Sequence, residues 1–212
     1  MKKFKAYEGF EVGVEEVLNG NCTIEEMFYI EDLKERKLFL NTDIDQFSIA
    51  AIVRHILKYN HEDKEIPVEN RKPIVLYLVS NGGCVDSGFE LIDIIKSSKT
   101  PVYTVNLGYQ YSMGFLIGLA GHKRFATKNA KFLMHDGSMV AYDSTAKLED
   151  QMEFRKRNEE RIKNYVLSTS NITSEEYDSK RRVEWYMFAE EAKEKGFVDY
   201  IIGEDCDIYE VI

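Results

Sequence analysis

The sequence predicts an α/β domain: repeated strand–turn–helix units around a mostly parallel sheet. Three observations carry this. Residues 74–79 (IVLYLV) form a continuous apolar run rich in β-branched residues, the pattern of a strand buried on both faces. Shorter runs of the same kind recur at 102–105 (VYTV) and 131–134 (KFLM), and Pro73 and Pro101 open the first two runs. Segments with apolar residues at helical spacing follow Gly-containing turns, which is the alternation of βαβ units.

Taken in order, residues 1–30 are weakly patterned and receive no assignment. KLFL at 37–40 reads as a short strand. From Gln46 to Tyr59, Phe47, Ile49, Ala50, Ala51, Val53, Ile56 and Leu57 recur at helical spacing. Residues 60–72 read as a charged loop. The strand at 74–79 runs into the turn Ser80-Asn81-Gly82-Gly83, and a helix over 85–95 places Val85, Phe89, Ile92 and Ile95 on one face. A Gly-containing turn after 102–105 leads to an apolar helix over 112–120. The strand at 131–134 precedes a long charged helix over about 146–167. Thr173 offers N-cap chemistry to a helix starting at Ser174. A last helix over 189–195 is ended by Gly196 in the C′ position, and 198–202 (VDYII) closes as a strand. No linker-like run and no fixed-period repeat interrupts the pattern, so one domain with the long helix as a projection is the simplest architecture.

Composition narrows the function. The chain has 212 residues, enough for one large domain without staples. Hydrophobic residues at 44% and charged residues at 31% are those of a soluble globular protein. The net charge of −9 lacks the basic footprint of a non-specific nucleic-acid binder. Cys22, Cys84 and Cys206 are scattered, with no CxxC or Cys/His cluster, so neither a disulfide framework nor a metal site is expected, and no cofactor. Free thiols in a reducing compartment are the reading. The opening MKKFKAYEG has no apolar run behind it and is not read as a signal peptide. The most apolar stretch, 114–121, falls well short of the roughly 20 residues of a membrane span. A cytoplasmic location is expected, with no membrane or nucleic-acid partner.

In a parallel sheet, sites form where strands end. Three such turns carry chemistry: 80–83, 111–114 and 134–137. The Gly82-Gly83 pair leaves backbone N–H groups open to an anion. It has neither Walker nor GxGxxG spacing, and a bare Gly-Gly pair is most often just a tight turn. Ser112 opens the apolar helix; a serine there commonly only caps, but its hydroxyl also lies by free helix N–H groups that can hold an oxyanion, with the Met113 N–H as natural donor. His135 is the one histidine of four that ends an apolar strand at this edge, which makes it the best general-base candidate. Cys84 is an alternative nucleophile, with packing at the start of a helix face as its competing role. Gly-Gly amides, a helix-opening Ser and a strand-end His together are the parts of acyl transfer.

The order of IVLYLVSNGGCVDSGFELIDII, then YSMGFLIGLAGHKRFATKNAKFLMHDG, then FAEEAKEKGFVDYII resembles the ClpP serine peptidase family, from about residue 29 to 202. The likeness implies the ClpP/crotonase fold and a peptidase domain over 29–203. A divergent segment over 1–28 precedes that domain and a tail over 204–212 follows it. It implies Ser112 as nucleophile, His135 as base, and the Gly83 and Met113 N–H groups as oxyanion hole. The third triad position falls on Glu184, where the family usually has Asp, with Asp178 as the fallback. Asn81 replaces a Pro, Tyr111 a small residue before the nucleophile, and Asp136 a Gln after the histidine. The long helix corresponds to the handle that joins two heptameric rings; its eleven charges between Lys147 and Lys163 leave a broken apolar stripe of Leu148, Met152, Ile162 and Val166. Val75 and Tyr77 stand where the family carries aromatics of a pocket for ATPase loops. The implied function is a serine endopeptidase acting on unfolded polypeptides inside a homo-oligomeric chamber fed by an AAA+ unfoldase. A catalytically silent subunit, a phage-type maturation protease and a crotonase-type acyl-CoA enzyme are the alternatives.

Overall fold

The computed structural model describes residues 19–21, 23–138 and 141–211; Cys22 lies outside them. The chain divides into two compact units, Met1–Leu38 and Phe39–Ile212. In the first, helix α1 (Ile24–Lys34) occupies part of the segment that the sequence left unassigned. Its start is a capping box: the Glu26 N–H donates to Thr23 Oγ1 at 3.1 Å and the Thr23 N–H to Glu26 Oε2 at 2.8 Å.

The second unit holds the sheet. After β1 (Lys37–Leu40) come α2 (Gln46–Glu62), β2 (Ile74–Ser80), α3 (Val85–Ser97), β3 (Val102–Tyr111) and α4 (Met113–Gly118). Then follow β4 (Lys123–Thr127), β5 (Lys131–Met134), α5 (Thr145–Ser168), α6 (Ser174–Lys180), β6 (Trp185–Phe188), α7 (Ala189–Glu194) and β7 (Tyr200–Ile202). The seven-stranded sheet has the order β1-β2-β3-β4-β7, with β5 on β3 and β6 on β5. The pairs β2·β3, β3·β4, β3·β5 and β4·β7 are parallel, and β5·β6 is antiparallel. This is the expected α/β class with a mostly parallel sheet.

β2 is buried along nearly its whole length, with Ile74, Leu76 and Leu78 fully enclosed, as its unbroken apolar run requires. Helix α4 covers one face, packed on β2, β3 and β5, and α3 packs against α4. On the other, Val75, Tyr77, Val105 and Phe125 cluster with Val211 of the C-terminal tail. The Tyr77 hydroxyl donates to the Val211 carbonyl, so Tyr77, 5% exposed, is a covered core residue and not an open pocket wall.

Three expectations need correction. The turn expected after 102–105 is strand: β3 runs on to Tyr111 because its first half pairs with β4 and its second with β5. The hand-over is bridged by Asn106, whose Nδ2 donates to the Lys131 carbonyl at 3.0 Å and whose Oδ1 accepts from the Gly108 N–H at 2.9 Å. β4 went unread, since Lys123 and Arg124 give it a polar start and only Phe125 and Ala126 are buried. The buried face of α3 is Ser87, Gly88, Leu91, Ile92 and Ile95, so Ile92 and Ile95 lie on it as expected while Val85 and Phe89 are only half-buried; Gly88 admits the Met113 side chain against the helix.

Candidate active site

Ser112 is the single residue between β3 and α4. Its φ of 53° and ψ of −119° lie where L-residues rarely sit, and strain of that kind persists only when the surroundings hold it. Two anchors do so: its N–H donates to the Leu133 carbonyl of β5 at 2.9 Å, and its carbonyl accepts from the Leu116 N–H of α4 at 3.2 Å. Every residue of α4 is buried, so the helix is locked into the core. The Ser112 side chain makes no capping hydrogen bond.

The Gly82-Gly83 turn lies directly against this serine. The chain crosses Ile44 there: the Ile44 N–H donates to the Gly82 carbonyl at 2.8 Å and the Cys84 N–H to the Ile44 carbonyl at 2.7 Å. Both glycines have positive φ, 103° and 148°. A Cβ on Gly83 would come within 2.3 Å of the Ile44 carbonyl oxygen, and one on Gly82 within 2.7 Å of Ser112 Cβ and 3.0 Å of the Met113 nitrogen. Among the hydrogen bonds of the described residues, none uses the Gly83 or the Met113 N–H.

His135 follows β5 immediately, and Glu184 immediately precedes β6. Because β5 and β6 pair antiparallel with Met134 opposite Trp185, the next residue outward on each strand meets the other. His135 Nδ1 and Glu184 Oε1 are 2.9 Å apart. Asp178, the fallback third residue, is engaged elsewhere: it accepts from Lys163 Nζ at 2.7 Å, and that bond holds its carboxyl below the usual range. The loop after His135 is tethered by the Asp136 N–H donating to the Arg181 carbonyl at 2.7 Å and by Arg155 Nη2 donating to the Gly137 carbonyl.

Ser112 and His135 line one cavity of about 310 Å³. Phe115, Leu116, Ile162 and Val166 give it apolar walls, while Arg181 and Arg182 add cationic groups. Tyr177, also in the wall, has its phenol pushed up to about 12, chiefly by burial, and stays neutral. Among the hydrogen bonds of the described residues, none joins the Ser112 hydroxyl to His135, whose ring bonds Glu184. Cys84, weighed as an alternative nucleophile against a packing role, is exposed and is not part of the cavity wall. His122 belongs to the other end of β3, bonded to the Val102 backbone, and burial lowers its pKa. Among the described residues no cluster of His, Cys, Asp or Glu is placed to hold a metal ion. No helix there is long and apolar enough to cross a membrane.

The sequence model of the Clp protease family matches residues 24–205. The chain belongs to that family. Relatives in the Clp protease family include the ATP-dependent Clp protease proteolytic subunit 2 of Treponema pallidum (strain Nichols), 25% identical over 87% of this chain and 90% of the relative. Subunit 1 of Streptomyces avermitilis is 35% identical over 83% of this chain and 79% of its own length. Subunit 3 of Streptomyces coelicolor is 33% identical over the same shares. The mostly parallel seven-stranded sheet is consistent with the Clp protease fold. Ser112, Gly83, Met113, His135 and Glu184 lie at one edge of that sheet, at or just beyond strand ends; Tyr186, two residues after Glu184 and packed on Tyr111, was not singled out by the sequence.

Proposed function

We propose that this chain is a serine endopeptidase that cleaves unfolded polypeptides through an acyl-enzyme on Ser112. The observation that carries the reading is the 2.9 Å contact between His135 and Glu184 at a cavity that Ser112 also lines. In the reaction Glu184 holds His135 in the tautomer with a proton on Nδ1, leaving Nε2 as base. Ser112 Oγ attacks the scissile carbonyl as Nε2 takes its proton. The tetrahedral oxyanion is held by the Gly83 and Met113 N–H groups, helped by the positive end of the backbone at α4. The imidazolium returns the proton to the leaving amine, the C–N bond breaks, and the acyl group stays on Oγ. Water, deprotonated by Nε2, then releases the acid and restores Ser112. The apolar cavity walls receive the side chain on the acyl side of the cut.

The Ser112 backbone supports a nucleophilic role over a capping one, since a positive φ without a cap bond serves no helix start. Assembly of a homo-oligomeric chamber, in two stacked heptameric rings through α5, and feeding by an AAA+ unfoldase extend the proposal; relatives named as ATP-dependent proteolytic subunits support them. The test is peptide hydrolysis by the purified oligomer against Ser112→Ala. Loss in the variant with the oligomer intact is expected; equal hydrolysis by both would refute the proposal.

A further inference from the structure

Each residue of the proposed triad adjoins a different strand: Ser112 follows β3, His135 follows β5 and Glu184 precedes β6. Their spacing therefore depends on how three strands are held at this end of the sheet. The backbone pairing there is short. Tyr109–Tyr111 lie against Lys131–Leu133, and Lys131–Met134 against Trp185–Phe188. Among the described residues β6 pairs with β5 alone, so it is an edge strand. The register sets Tyr111, Leu133 and Tyr186 in one row across the three strands. The Tyr111 and Tyr186 rings meet edge to face, centroids 5.8 Å apart with planes at 89°, and Tyr109 backs Tyr111 with centroids 5.0 Å apart. Leu133, in the middle of the row, is buried, and its carbonyl holds the Ser112 N–H.

Along β6, Trp185 and Met187 are buried while Tyr186 and Phe188 are exposed, so the alternation puts Glu184 on the face of Tyr186. The row of rings thus lies on the side where Glu184 meets His135. Neighbouring strands are about 4.8 Å apart, so a direct tie from β3 to β6 must bridge about 10 Å. A backbone hydrogen bond cannot span that gap, and two rings leaning together over β5 can. Neither ring takes part in the chemistry above, and neither belongs to the wall of the Ser112 cavity. We propose that Tyr111 and Tyr186 are positioning residues: their edge-to-face contact clasps β3 to β6 across β5, and so fixes the strand that carries Glu184 relative to Ser112 and His135. The inference rests on the reading of Glu184 as third triad member. It needs the rings and not the hydroxyls, and it gives a role to Tyr111, one of the departures from the family pattern.

The test is a cycle of Tyr186→Ala, Glu184→Ala and the double variant, with Tyr186→Phe as the variant that keeps the ring. The readouts are kcat and KM on a short fluorogenic peptide, the rate of Ser112 modification by a fluorophosphonate, and the melting temperature. Tyr186→Ala is expected to lower kcat and the modification rate roughly 10-fold with KM unchanged, because a displaced β6 misplaces Glu184 and not the peptide. Tyr186→Phe is expected to keep wild-type rates. In the Glu184→Ala background Tyr186→Ala is expected to cost no further kcat, while it lowers the melting temperature by the same amount in both backgrounds. Tyr186 is 57% exposed, so its truncation leaves the core intact; Tyr186→Leu, which keeps an apolar cover on Leu133 without a ring edge, gives the same reading should the alanine variant lose its fold. Wild-type kcat in Tyr186→Ala, a loss in Tyr186→Phe, or an equal loss with and without Glu184 overturns the clasp and leaves the triad standing. Wild-type rates in Glu184→Ala overturn the triad reading of Glu184 and the inference with it.

Discussion

Ser112, the proposed nucleophile, is held in its strained backbone conformation by its neighbours. Its own N–H and carbonyl are both committed, and Gly82 packs against its Cβ. Gly82→Ala brings a methyl to 2.7 Å from Ser112 Cβ at a φ of 103°, so the serine must move. The expected result is at least a 10²-fold loss of kcat with the chain still folded, checked by peptide kinetics beside circular dichroism. Glu184→Ala is expected to lose about 10²-fold or more in kcat, within the usual range for disrupted acid–base catalysis. At this scale Ser112, His135, Gly83 and Met113 could be named as candidates from the strand-end turns and the family likeness. The choice between Glu184 and Asp178 could not. It depends on the antiparallel register of β5 and β6, which puts Glu184 beside His135, and on Lys163, which claims Asp178.

The long helix α5 fixes the far wall of the cavity through a few polar ties. Arg155 holds the Gly137 carbonyl and pairs with Glu159 at 2.9 Å, so it couples α5 to the loop that carries His135. Arg155→Ala is expected to reduce kcat/KM severalfold without unfolding the chain, read by kinetics and thermal melting. Lys163 ties α5 to α6 through Asp178. Because that bond lowers the Asp178 pKa in the folded state, the stability it adds is present above the ordinary carboxylate value of about 4 and lost as pH falls through the lower folded value. Asp178→Asn is thus expected to melt earlier than wild type at pH 7, and the gap is expected to close on acidification below about pH 4. Elements with one strong pattern were legible: the apolar run of β2, the spacing in α2 and the charges of α5. β4 and the second half of β3 were not, because their burial comes from pairing with strands distant in sequence rather than from their own composition.

For the molecule as a whole, what the fold leaves uncovered matters most. α5 buries only Val166 of its 24 residues, while Met152 and Phe154 stand 47% and 61% exposed. An exposed phenylalanine on a charged helix fits contact with a second copy of the chain. The solution mass is expected to be a multiple of 24.6 kDa, and Phe154→Glu to shift it downward with loss of peptide hydrolysis, measured by native mass spectrometry. A monomeric wild type at working concentration contradicts the chamber. The family and the sheet class were readable from the order of three motifs. The cover that Val211 places over Tyr77 was not, since a single tail residue far from β2 makes it.

The most direct test of the proposed chemistry is intact-mass analysis of the purified oligomer after reaction with a fluorophosphonate, beside Ser112→Ala. One adduct per chain, absent from the variant, is the expected result. An adduct that persists in Ser112→Ala, or no adduct on the intact oligomer, contradicts an activated Ser112.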